Sequence, residues 1–124
     1  MLRGEPPSIE LDAASFETGI LPLHFVMCHR VLAKALERAG RTRQQIRYLV
    51  YPNTSELDRQ SIVRALGIPE DRLSGPGPKD LGHVFASDLL INWPEATHTL
   101  GEEECVVALS VGSGFTWGAS VFGR

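Results

Sequence analysis

Four histidines and two cysteines are the side chains best suited to nucleophilic, acid–base or metal chemistry in this sequence of 124 residues. His24, Cys28 and His29 lie close together, and His24 and Cys28 are one turn apart, so in a helix they share a face. A zinc-type site needs three or four ligands, and nothing else nearby supplies them, so the group reads as packed or surface residues and no metal is expected. His83 precedes Asp88 by five residues. A carboxylate about a turn and a half further along a helix could hold an imidazole in one tautomer, as the acid of a triad does. Acids near helix N-termini are also favoured by the dipole alone, which is the simpler reading. His98 sits in a polar stretch and carries no signal. A nucleophilic thiol needs a depressed pKa, supplied by a helix N-terminus or a neighbouring cation. Cys28 reads as mid-helix and Cys105 as the start of a strand, so both are expected to be buried free thiols and not nucleophiles or a disulfide.

The elements that must position these residues follow from periodicity and punctuation. Residues 1–15 form an irregular lead-in, within which Ser8–Leu11 could add a short strand. Glu17–Ala39 carries a helical stripe of Leu23, Met27, Val31 and Ala35, flanked by Leu32, Leu36 and Ala39. Pro22 places the regular start near itself, and Gly40 is a natural stop. Ile46–Tyr51 is β-branched and aromatic, ends at Pro52, and reads as a strand. Ser55-Glu56-Leu57-Asp58 has the form of a capping box and opens a second helix that Gly67 closes. Ile68–Leu73 is a short segment before a breaker-rich loop, Ser74 to Pro78. Gly82–Trp93 is a third helix candidate, and Cys105–Val111 and Phe115–Phe122 are strands around Gly112-Ser113-Gly114. This alternation implies a single α/β domain, a five-stranded mixed sheet covered by helices.

The bulk numbers exclude some functions. A formal net charge of −3 and the lack of a Lys/Arg run argue against nucleic acid as a partner. The apolar stretch Ile20–Met27 is too short to span a bilayer, and the charged N-terminus lacks a signal-peptide core. A cytoplasmic protein without a membrane partner is expected.

The last third of the sequence resembles a known family. Val106 to Ala119, ending Gly-Phe-Thr-Trp-Gly-Ala, is similar to the closing hairpin of ketoacyl-ACP synthase III proteins. Ala39-Gly40 with Ile46 to Val50 resembles the helix end and strand before that family's His-Gln-Ala-Asn motif. Val63 to Pro69 resembles the helix end after it, and Gly82-His83 stands where the family has Gly-Asn. The resemblance covers roughly residues 17–124 and implies one thiolase-like half. In that family two similar halves enclose the active site. The N-terminal half carries the nucleophilic Cys, and the C-terminal half supplies a His and an Asn. The chain resembles the C-terminal half.

At the positions that matter the sequence departs from the pattern. The family's His falls on Pro52, which has no donor, and a shift of one residue would put Asn53 there. The Asn position holds His83. Asn53 and His83 are therefore either a permuted donor pair, with Asp88 behind the imidazole, or remnants of a decayed site with local roles only. The loop Gly112, Ser113, Gly114 corresponds to a family loop that gives a backbone N–H to an oxyanion hole, and that N–H survives any substitution but Pro. The resemblance implies acyl transfer from acyl carrier protein or CoA thioesters, as in fatty-acid or polyketide biosynthesis, with no cofactor. Acyl transfer to an alcohol or amine fits better than decarboxylating condensation. The expected partners are a Cys-bearing N-terminal half or a second copy. The competing readings are a non-catalytic interaction or regulatory subunit and a truncated product.

Overall fold

The structure is a computed structural model in which residues 12–112 and 114–124 are described. Ser8–Leu11 lies outside the described residues. Asp12 caps a single turn, Ala13–Ser15, by accepting the Ser15 N–H at 3.2 Å. A π-helical turn, Phe16–Ile20, follows and leads into helix α1, Leu21–Ala39. The wide turn sits where Pro22 cannot donate a backbone hydrogen bond, and Leu21 N–H reaches back to Phe16. Gly40, at φ 62°, closes α1 in the left-handed conformation, with its own N–H and that of Arg41 returning to Glu37 and Leu36.

The core stripe of α1 is Cys28, Leu32 and Leu36, one position round from the stripe expected through Leu23 and Met27. Leu23 and Val26 are exposed instead. The continuous helical run Ala13–Ala39 is long and apolar enough to cross a membrane by length and composition, unlike Ile20–Met27 alone. Its Cys28–Leu36 face is nonetheless committed to the sheet, as in a core helix.

Strand β1, Ile46–Val50, is followed by helix α2, Glu56–Leu66, whose cap Ser55 accepts the Asp58 N–H at 3.0 Å. The capping box is only half made, because the Asp58 carboxylate bonds to Tyr51 and Thr54. Strands β2, Cys105–Gly112, and β3, Thr116–Gly123, complete the sheet. The order is β1-β2-β3, with β1 parallel and β3 antiparallel to β2. Among the described residues the sheet thus has three strands, not five. Ile68–Leu73 falls short of a strand. Pro69 lacks a donor, Glu70–Arg72 turns as a 3-10 helix, and only a bridge from Leu49 to Leu73 remains.

Alternation along β2 separates two cores. Cys105, Val107 and Leu109 face α1 and α2, while Val106 and Ala108 face Leu89, Trp93 and Leu100 on the other side. The second face is covered by short pieces and not by the long helix expected over Gly82–Trp93. After α3, Pro78–Leu81, which buries no residue, these pieces are a 3-10 turn, Phe85–Ser87, and α4, Asp88–Ile91. Gly82, at φ 67° and ψ −163°, and Phe85, at φ 55°, interrupt the helical path.

Candidate functional site

A cleft of about 690 Å³ opens where the end of β1, the Gly82–Leu89 segment and the β2–β3 hairpin meet. His83 and Thr54 give it polar groups, Pro52, Phe85, Leu89 and Phe115 give it apolar walls, and Gly112 and Gly114 bound it on the hairpin side. The hairpin can turn there because Gly114 takes φ 88° and because Gly112 has no Cβ, which would come within 2.6 Å of the Thr116 hydroxyl. Ser113 lies outside the described residues.

His83 is the polar centre of the cleft. Its Nδ1 lies 2.5 Å from Oδ2 of Asp88, whose side chain is wholly buried while that of His83 is 36% exposed. The same Oδ2 accepts the Asn53 N–H at 2.7 Å, and Oδ1 accepts the Val84 N–H at 2.8 Å. Burial works against ionisation of Asp88. The hydrogen bonds from Val84, Asn53 and His83 outweigh it and hold the carboxyl below its ordinary range. An ionised carboxylate only accepts, so Nδ1 carries the proton and Nε2 is left as a base. Among the described residues no hydrogen bond to Nε2 is found, and the ring rests 4.9 Å from that of Phe85.

Asn53 and His83 do not converge as side chains. Asn53 is fully buried and turns inward, where its Oδ1 accepts from Arg59 at 3.0 Å and from Asn92 at 2.7 Å. Asn53 reaches the His83–Asp88 pair through its backbone N–H alone. A donor side chain in the cleft is therefore not what the geometry gives Asn53. Pro52, beside it, presents its ring to the cleft wall.

Behind the site lies a network that sequence reading missed. The Arg59 guanidinium, 2% exposed, donates to the carbonyls of Tyr51 and Ser74 and to Asn53 Oδ1. Asn92 Nδ2 donates to Tyr51 O and Asn53 Oδ1. A signal was present: Arg59, Ile62, Val63 and Leu66 are spaced i, i+3, i+4, i+7, so Arg59 occupies a core position of α2.

The other polar cluster forms around His24. Its Nδ1 accepts the Trp117 indole N–H at 3.1 Å, and its Nε2 lies 2.9 Å from the Tyr51 hydroxyl, which donates to Asp58 at 2.9 Å. Cys28 Sγ is 3.8 Å from Nε2 of His24, while His29 pairs with Arg43. Among the described residues no three His, Cys, Asp or Glu side chains gather as a metal site. Both cysteines are free and buried. Burial, with Asp58 nearby, pushes the Cys28 thiol up to about 12, and burial also raises Cys105.

The family model for the 3-oxoacyl-[acyl-carrier-protein (ACP)] synthase III C terminal matches residues 36–123. The chain belongs to this family. A beta-ketoacyl-[acyl-carrier-protein] synthase III from Thermosynechococcus vestitus is 28% identical over 93 residues, covering 74% of the chain and 28% of that relative. The beta-ketoacyl-[acyl carrier protein] synthase III of Thermus thermophilus superimposes with a TM-score of 0.73 at 21% identity, over 94% of this chain and 35% of that one. The structure described as ChlB3, an acyltransferase, gives a TM-score of 0.72 at 28% identity, over 96% of this chain and 40% of that one. The α/β fold is thus that of the synthase III C-terminal region. The chain spans well under half the length of these relatives.

Proposed function

We propose that this chain supplies the acid–base side of a thioester-dependent acyltransferase, completed by a thiolase-like half that carries the nucleophilic Cys. The observation that carries the reading is the His83–Asp88 pair opening on a cleft bounded by Gly112 and Gly114. Similarity to a structure named an acyltransferase supports the same direction. In the proposed reaction the acyl group sits as a thioester on the partner's Cys. An alcohol or amine acceptor in the cleft loses its proton to His83 Nε2 as its heteroatom attacks the thioester carbonyl. The backbone N–H groups of Gly112 and Gly114, which bound the cleft, are the candidates to receive the developing oxyanion. The tetrahedral intermediate collapses with loss of thiolate, which takes back the proton. Pro52 offers no donor for a malonyl decarboxylation, so simple acyl transfer is favoured over chain elongation. Acyl donors would be acyl carrier protein or CoA thioesters, no cofactor is called for, and a cytoplasmic location suits the reaction.

The test is reconstitution with a Cys-bearing N-terminal half. His83→Ala should reduce acyl transfer by about 10²-fold or more. An unchanged rate would remove His83 from the mechanism and favour a non-catalytic interaction subunit, which the exposed Leu23 and Val26 also suit.

A further inference from the structure

Phe85 occupies a position that stability alone does not account for. Its backbone is left-handed at φ 55°, the one non-glycine with positive φ among the described residues. A bulky residue is strained there. The usual compensation, burial of the ring, is lacking, because Phe85 is 76% exposed. The loop nevertheless fixes it from both sides. Gly82 takes a conformation open to glycine, and the Val84 N–H is held by Asp88. The result is a ring set against the His83 imidazole at 4.9 Å and forming a wall of the cleft. Leu89 and Phe115 line the same cleft, and Phe115 stacks on Trp117 with ring centroids 6.0 Å apart.

We propose that Phe85 is the specificity-determining residue of this cleft, selecting a planar, apolar group whose hydroxyl reaches His83 Nε2. The inference rests on His83 acting as base here and names the class of acceptor: an aryl or similarly flat apolar alcohol in preference to a polar polyol. An aromatic wall gains from stacking on a flat apolar face and gains nothing from a hydrated sugar-like one.

Binding to the chain as it stands tests this without turnover. Backbone amide spectra would be followed during titration with p-cresol, and separately with glucose as the polar hydroxyl probe. The expected result is saturable p-cresol shifts at Gly82–Ala86, Gly112 and Gly114, and none with glucose. Phe85→Asn keeps a residue that tolerates the left-handed backbone but removes the ring, and should weaken p-cresol about 5–10-fold. Phe85→Tyr keeps the ring and should stay within about twofold of the parent. Melting temperatures of Phe85→Asn and Phe85→Gly should equal or exceed the parent's, since strain is relieved. Unaltered p-cresol affinity in Phe85→Asn, shifts confined to another surface, or equal response to glucose would each overturn the assignment. Because His83→Ala in the reconstituted enzyme reads the base separately, failure of the two ideas is distinguishable.

Discussion

Asp88 holds His83 through one carboxylate oxygen, at 2.5 Å from Nδ1, and that same oxygen takes the backbone N–H of Asn53 at 2.7 Å. The imidazole is thereby tied to the end of β1 and set in one tautomer. Asp88→Asn should break this, since an amide presents only one acceptor where three donors converge. The expected cost is about 2–3 kcal/mol in stability from groups left unpaired in a buried place. In the reconstituted enzyme the rate should fall by about 10²-fold or more. Nitrogen-15 spectra of the His83 ring give the tautomer directly: the wild type should show Nδ1–H, and Asp88→Asn a mixture. A wild-type Nε2–H tautomer would refute the arrangement.

His24 should make stability depend on pH. Trp117 can only donate, so Nδ1 must accept, and Tyr51 gives its proton to Asp58, so its oxygen takes the proton on Nε2. The neutral imidazole is the form that fits. A protonated one would set two N–H groups face to face at Trp117. Burial lowers the His24 pKa, and Asp58 on α2 opposes this only in part. The groups that face His24 are Cys28 on its own helix, Tyr51 and Asp58 behind it, and Trp117 on β3. With a folded-state pKa below the unfolded value, its contribution is fully present above about pH 6.5 and lost as pH falls through the folded value. Denaturation midpoints, followed by Trp117 fluorescence in a Trp93→Phe background, should therefore drop between pH 7.5 and pH 5.5. His24→Gln, which can still accept from Trp117, should flatten that drop. A parent profile as flat as the variant's would sink the prediction.

Arg59 should be intolerant of truncation. Its guanidinium serves Tyr51 O, Asn53 Oδ1 and Ser74 O, and burial lowers its pKa while Glu56 and Asp88 counter that loss. Arg59→Ala removes three buried hydrogen bonds, leaves Ser74 O without its donor and Tyr51 O and Asn53 Oδ1 on Asn92 alone, and should cost about 3 kcal/mol or more. Arg59→Lys, with a point charge in place of a planar fork, should recover only part. Urea denaturation of the two variants measures both effects. A cost below 1 kcal/mol for alanine would mean that the network is dispensable.

The sheet strands were legible because their chemistry is local: Ile46–Val50, apolar or aromatic but for Arg47, ends just short of Pro52, Val106–Leu109 is an unbroken apolar run, and both are in strands. Helix ends at Gly40 and Gly67 were equally plain, since both need a positive φ. The 82–93 segment was not legible as a broken path. Its apolar members fit a helix, and what overrides them is tertiary, the Asp88 carboxylate taking the Val84 and Asn53 N–H groups. The nearness of His83 to Asp88 could be read from spacing. The inward turn of Asn53 could not, because it depends on Arg59 and Asn92 arriving from two other elements.

The chain alone should form no acyl-enzyme. Cys28 is 1% exposed and its thiol sits near pKa 12, so almost no thiolate exists at neutral pH. Cys105 is buried at the start of β2 and its pKa is raised by the same desolvation. After incubation with an acyl-CoA, intact mass should be unchanged. Iodoacetamide should label both thiols only in denaturant. An acyl adduct on the native chain would show a reactive thiol that this geometry does not provide.

The isolated chain should also associate. At the N-terminal end of α1, Leu21, Leu23 and Val26 are exposed, Val26 to 61%, and Leu90 and Phe122 are exposed elsewhere. Leu23 and Val26 adjoin at i, i+3 on the side of α1 away from Cys28, which the core does not use, and an exposed apolar patch of this kind favours association. Light scattering at micromolar concentration should therefore give a mass of at least two chains. Leu23→Glu with Val26→Glu should shift it toward one, because neither residue is in the core and the fold should survive. Adding a complementary Cys-bearing half should compete with self-association if the same face serves both, and leave it unchanged if the faces differ. A monomer at all concentrations, with no binding of an apolar dye, would show that this face needs no cover.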